Sequence, residues 1–135
     1  MRAQKYQLVK NTKRTALKKD YKVKIISNDD FNPNDQVFVQ FHGKDKETDF
    51  KDLTDIYQKF QGKNEAVFDV KAKDIDSLDH MSIKRKVNGP KTDWYIQKIE
   101  VRDPQGKVYE FMCKCLLAKD VGLIKTALTS NVING

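Results

Sequence analysis

Alternation with a period of two is the feature that most constrains what this chain can fold into. Tyr21, Val23 and Ile25 alternate with Lys22 and Lys24, and Val37, Val39 and Phe41 share a face opposite Gln36, Gln40 and His42. Ala66, Phe68, Val70 and Ala72 repeat the pattern, as do Met81, Ile83 and Val87, with Lys84 and Lys86 on the opposite face. Successive side chains of a strand point to opposite sides of a sheet, so each run predicts a strand with one dry face and one wet face. Trp94 to Arg102 is β-rich, Asp103-Pro104-Gln105-Gly106 is a turn, and Tyr109, Phe111 and Cys113 line one side of the strand that follows. That sequence of features predicts a hairpin. A further short strand is expected around Thr48 to Phe50. Leu53, Ile56, Tyr57 and Phe60 have near-helical spacing, which fits a short helix or an ordered loop over 51–63.

About seven short strands separated by turn residues point to an all-β, antiparallel sandwich. Its expected core includes Val23, Ile25, Val39, Phe41, Phe68, Val70, Ile83, Ile99, Val101 and Phe111. After it, Leu117, Val121, Ile124 and Leu128 recur in steps of four, three and four, the stripe of a short C-terminal amphipathic helix. A chain of 135 residues with thirteen aromatics is the size of one domain with a real core. No apolar run approaches the roughly 18 residues that span a bilayer, and the N-terminus lacks the apolar stretch of a secretory signal. A peripheral membrane or a cytoplasmic location both fit. Cys113 and Cys115 lie two apart in an expected strand, a placement that does not favour a bridge between them.

The formal charge of +7 is concentrated at one end. Arg2, Lys5, Lys10, Lys13, Arg14, Lys18 and Lys19 carry seven positives with no acid among them, whereas residues 20–135 hold 19 Lys and Arg against 19 Asp and Glu. The chain therefore divides into a basic leader over 1–19 and a neutral body. Clustered cations attract the phosphates of anionic lipid or of nucleic acid. Nucleic-acid binding also calls for interleaved aromatics, and the leader offers only Tyr6, which makes nucleic acid the least favoured partner. Catalytic groups are scarce: His42 and His80 sit in no nucleophile or metal-ligand spacing, and the glycines form no phosphate loop. The sequence reads as a nonenzyme.

The most informative segment is Asn88-Gly89-Pro90-Lys91-Thr92-Asp93-Trp94-Tyr95-Ile96-Gln97-Lys98-Ile99-Glu100-Val101. A Gly-Pro turn, an acid and a tryptophan run directly into a strand, and a Tyr-x-Phe-x-Cys strand follows. This resembles the PLAT domain, also called the lipoxygenase homology domain, an eight-stranded β-sandwich. The resemblance covers roughly residues 20–117 and leaves 118–135 as the helical extension. Asn34-Asp35 stands where the family usually has Thr-Asp, and Asn32-Pro33 replaces its glycines. Lys84-Arg85-Lys86-Val87-Asn88 replaces its His-Asp-Asn, and Leu116 replaces its closing tryptophan.

The resemblance implies a noncatalytic targeting module that docks a parent protein to a membrane or to a partner. In the lipid version, Phe31 and Trp94 enter the interface from loops at one end, while Lys84, Arg85 and Lys86, with Lys13, Arg14, Lys18 and Lys19 of the leader, approach anionic headgroups. Some members of the family use calcium. Asp30, Asn32, Asp93 and the carbonyl of Trp94 are the matching candidates, since calcium takes carboxylate, amide and carbonyl oxygens. In the alternative version the module binds a protein, and exposed apolar residues on a sheet face rather than at loop tips favour it.

Overall fold

The structure, a computed structural model, describes residues 18–28, 30–117, 124–128 and 131–134. The strands are β1 (Lys18–Ser27), β2 (Gln36–His42), β3 (Lys51–Asp52), β4 (Glu65–Lys73), β5 (His80–Lys86), β6 (Trp94–Arg102) and β7 (Lys107–Leu117); all but β3 follow the expected strand runs, and β3 lies just beyond the strand expected around Thr48 to Phe50. One short helix, α1 (Ile56–Phe60), lies between β3 and β4 and buries Ile56 and Phe60. Two strands close the chain, β8 (Ile124–Leu128) and β9 (Asn131–Asn134). They form a five-stranded sheet, β4-β1-β6-β7-β9, and a four-stranded sheet, β3-β2-β5-β8. All the strand pairs are antiparallel.

Alternation puts the core where the sequence predicts it. β1 buries Tyr21, Val23 and Ile25, β2 buries Val37, Val39 and Phe41, and β4 buries Ala66, Phe68, Val70 and Ala72. Facing residues of the two sheets meet in one cluster, in which the Tyr21 and Phe41 rings stack at 4.7 Å. Burying each such side chain is worth about 1.5–3 kcal/mol, so the inner faces supply the main driving force. In the β6–β7 hairpin the Asp103 carboxylate accepts the N–H groups of Gln105 and Lys107 at 3.0 and 2.9 Å, and Gly106 turns the chain at φ 90°. That is the ordinary division of labour between a turn acid and a turn glycine.

Three expectations are corrected. Over the described residues the chain beyond 117 is extended, not helical. Ile124–Leu128 pairs with His80–Lys84 of β5, and Asn131–Asn134 pairs with Lys107–Glu110 of β7. Tertiary pairing wins there, because β5 and β7 each need a neighbour on that side and Ile124, Thr126, Val132 and Ile133 are β-branched. The stretch read as leader also ends earlier: β1 begins at Lys18, whose backbone partner is Lys73. Finally, Cys113 and Cys115 are paired as a disulfide. The β6–β7 register passes from Ile96↔Cys115 to Lys98↔Met112, a bulge on β7, and Lys114 within it takes φ 46°. The bulge shortens the Cα separation of the cysteines to 5.0 Å, against the roughly 6.6 Å of a regular strand.

Candidate functional site

Three chain segments meet at one end of the sandwich: the β1–β2 loop, the β5–β6 loop and the end of β7. Asp35 and Asn32 build the first loop. The Asp35 carboxylate accepts the Asn32 backbone N–H at 2.9 Å and the Asn88 backbone N–H at 2.7 Å, which ties the first loop to the second. The Asn32 side chain bridges the same gap. Its amide donates to the Lys91 carbonyl at 2.8 Å and its oxygen accepts the Lys91 N–H at 3.0 Å, in the manner of a strand partner. Gly89 makes this approach feasible: at φ 154° it presses against Asn32, and a Cβ there would lie 2.4 Å from the Asn32 side-chain carbon.

Arg85 sits at the centre of this junction and is fully buried. One terminal nitrogen donates to the carbonyls of Thr92 and Leu117 at 2.9 and 3.2 Å. The other donates to the Asp30 carbonyl at 2.9 Å, the Asp35 carboxylate at 2.9 Å and the Lys91 carbonyl at 3.4 Å. The guanidinium carbon lies 5.6 Å from the Phe31 ring centre and 5.9 Å from that of Trp94, within cation–π range. Burial pushes the Asp35 carboxyl up, yet the backbone donors of Asn32 and Asn88, the Arg85 guanidinium and the Asn32 amide outweigh burial and hold it below its ordinary value.

The loop aromatics face inward, which corrects their reading as membrane anchors. Phe31 is 1% exposed and Trp94 0%. Their rings pack 4.7 Å apart, and Phe60 completes the cluster at 5.2 Å from Phe31. The Trp94 indole N–H donates to Ser27 Oγ at 2.8 Å, so its polar atom is satisfied without water. Arg85 is corrected with them, since a buried cation bonded to five oxygens is withdrawn from any headgroup. Lys84 is half-buried, with its ammonium 5.2 and 4.7 Å from the Phe38 and Phe50 ring centres, and Lys86 is exposed at the end of β5. Lys18 and Lys19 are exposed at the start of β1, whereas Lys13 and Arg14 lie outside the described residues.

The four calcium candidates come from the two loops that meet at this end, and two of them are already engaged. Asn32 is buried with both ends of its amide engaged, the Asp30 carbonyl is taken by Arg85, and the Asp30 carboxylate accepts the Asn28 amide at 3.1 Å. Asp93 is exposed, next to a Trp94 that begins a strand. Among the described residues no group of three or more His, Cys, Asp or Glu side chains gathers in a metal-holding arrangement.

A different feature was missed by the sequence reading. Tyr95, Met112 and Leu116 are 41%, 46% and 47% exposed on the outer face of the five-stranded sheet, Tyr95 and Leu116 at the same end of the sandwich and Met112 midway along β7. Tyr95 lies directly opposite Leu116, and Met112 opposite Lys98, which is itself opposite Ile26. Their parity was the available signal: Tyr95 follows a buried Trp94, and Met112 follows a buried Phe111. Lys98 rims the patch between Glu100 at 3.1 Å and Glu110 at 3.3 Å, and these two acids, Glu100 first, raise the pKa of its ammonium.

Comparison with known proteins agrees with this architecture. The model of the PLAT/LH2 domain family matches residues 21–122. The chain belongs to the PLAT/LH2 domain family. No curated protein matches it in sequence. Among solved structures it is similar to coral 8R-lipoxygenase, described as calcium-activated through a C2-like domain, at TM-score 0.68 and 16% identity over 83% of this chain and 17% of that one. A calcium-dependent 11R-lipoxygenase gives TM-score 0.62 and 21% identity over 84% and 18%. The alpha toxin of Clostridium absonum gives 0.59 and 15% over 86% and 32%. This PLAT/LH2 chain thus spans under a third of the length of each of these neighbours. Among its described residues no helix is long and apolar enough to cross a membrane.

Proposed function

We propose that this PLAT/LH2 domain is a noncatalytic targeting module that docks onto a protein surface through the outer face of its five-stranded sheet. The observation that carries the reading is the exposure of Tyr95, Met112 and Leu116 together on adjacent strands, while the loop aromatics are spent on the core. An interface core of large apolar side chains inside a polar rim is the usual anatomy of protein recognition. The rim also favours protein over anionic lipid. Four lysines on this face are paired: Lys22 with Asp69, Lys24 with Glu65, Lys71 with Asp20, and Lys98 with Glu100 and Glu110. A headgroup would have to compete with a carboxylate for each.

The lipid reading keeps one specific support, the cations of the acid-free leader. The two readings separate when a photo-crosslinking residue is placed at position 95 or 116 of the parent protein in its own cell. Protein docking gives discrete protein adducts from 95 and 116 and none from a control at position 71, on the same face but far from the patch. Adducts only to lipid, or equal adducts from the control, would reject it.

A further inference from the structure

We propose that Arg85 is the resident cation of the loop end, so that this domain organises its loops without calcium. Five oxygens from three chain segments converge on one guanidinium: the carbonyls of Asp30, Lys91, Thr92 and Leu117 and the carboxylate of Asp35. Calcium would ask for six to eight oxygens at about 2.3–2.6 Å, usually with several carboxylates among them. This junction has a different stoichiometry. One carboxylate balances one guanidinium, and the neutral carbonyls suit a planar fork of N–H donors.

Among these five oxygens a metal has no place that spares the fold. Arg85 is 0% exposed, lies against Phe31 and Trp94, and extends from a strand that faces the core. To claim the Asp30 carbonyl or the Asp35 carboxylate, a metal would have to displace the guanidinium into the aromatic cluster. Within the described residues the Arg85 Nε–H finds no acceptor, which fits a side chain placed for its two terminal nitrogens. What a removable ion does in a calcium-regulated domain is done here by a covalent side chain. The end of β7 and the start of β6 are held through Leu117 and Thr92, close in sequence to Leu116 and Tyr95, so the exposed patch keeps one shape whatever the calcium level. The inference stands whether the patch meets protein or lipid.

The test is thermal unfolding and calorimetric titration of the full chain with calcium chloride, against magnesium chloride at equal concentration. About 5 mM calcium is 100-fold above a Kd of about 50 µM, and a folded-state site of that affinity raises Tm by several degrees. We expect a shift below about 1 °C and no saturable heat. A calcium-specific rise in Tm or a saturable heat overturns the proposal. Arg85→Ala gives the complementary arm: about 20 mM guanidinium, far below denaturing concentrations, restores part of its lost Tm, while equal sodium or calcium chloride does not. Rescue by calcium equal to that by guanidinium overturns it too. If Arg85→Ala does not fold, Arg85→Lys replaces it, and a wild-type Tm in that variant counts against a role for the fork.

Discussion

A single carboxylate at position 35 fixes how the loop end responds to acid. The folded pKa of Asp35 lies below its unfolded value near 4. A depressed carboxyl pKa contributes stability that is present in full above the unfolded value and is lost as pH falls through the folded one. Wild-type stability should therefore decline below about pH 4 in denaturant titrations. Asp35→Asn should decline less over the same range, because the ionisable group is gone. At neutral pH that variant should already be weaker by about 3–5 kcal/mol, since it leaves Arg85 buried without its counter-charge. Equal acid sensitivity in the two proteins would remove Asp35 as the source. Gly89 is the second residue on which the junction depends. Gly89→Ala combines a backbone angle unfavourable to any side chain with a 2.4 Å clash against Asn32, and it should lower Tm by several degrees without altering the β-sheet circular dichroism.

At the scale of elements, parity carried most of the information. The strands β1, β2, β4 and β5 could be placed because their apolar residues recur at every second position, and the ten expected core residues are all buried. Parity also held two facts that composition obscured. Arg85 shares the inward phase of Met81 and Ile83, but as one of three consecutive cations it reads as surface. Trp94 and Phe31 flank turns, and residues beside turns read as exposed when the packing that buries them comes from Phe60, distant in sequence. The C-terminal strands were hidden for another reason. Leu117, Val121, Ile124 and Leu128 satisfy a helical stripe, and only the edges of β5 and β7 decide for extended structure. That origin can be tested. Deleting residues 118–135 should leave Met81–Lys84 without its β8 partner, speed amide exchange on β5 and lower Tm, whereas an independent helical extension would leave both unchanged. Phe68→Ala, in the middle of β4, should cost about 3–5 kcal/mol in chemical denaturation.

For the whole molecule, charge and apolar exposure are carried by different parts. Residues 20–135 are formally neutral, and Lys22, Lys24 and Lys98 on the patch-bearing face are held in ion pairs. Residues 1–17 carry Arg2, Lys5, Lys10, Lys13 and Arg14 with no acid. Each basic residue near an anionic surface contributes about 1 kcal/mol, and the attraction is screened within about 10 Å at 0.1 M salt. Co-sedimentation with anionic vesicles should therefore be strong at low salt, fall steeply as salt rises, and disappear on deletion of 1–17. The Tyr95→Ser/Leu116→Ser double variant should retain it, because under the protein-docking reading those side chains never meet lipid, and neutral vesicles should bind neither protein. If the double variant loses vesicle binding while the leader deletion keeps it, the patch is a lipid anchor and the docking surface on the five-stranded sheet must be reassigned to a membrane.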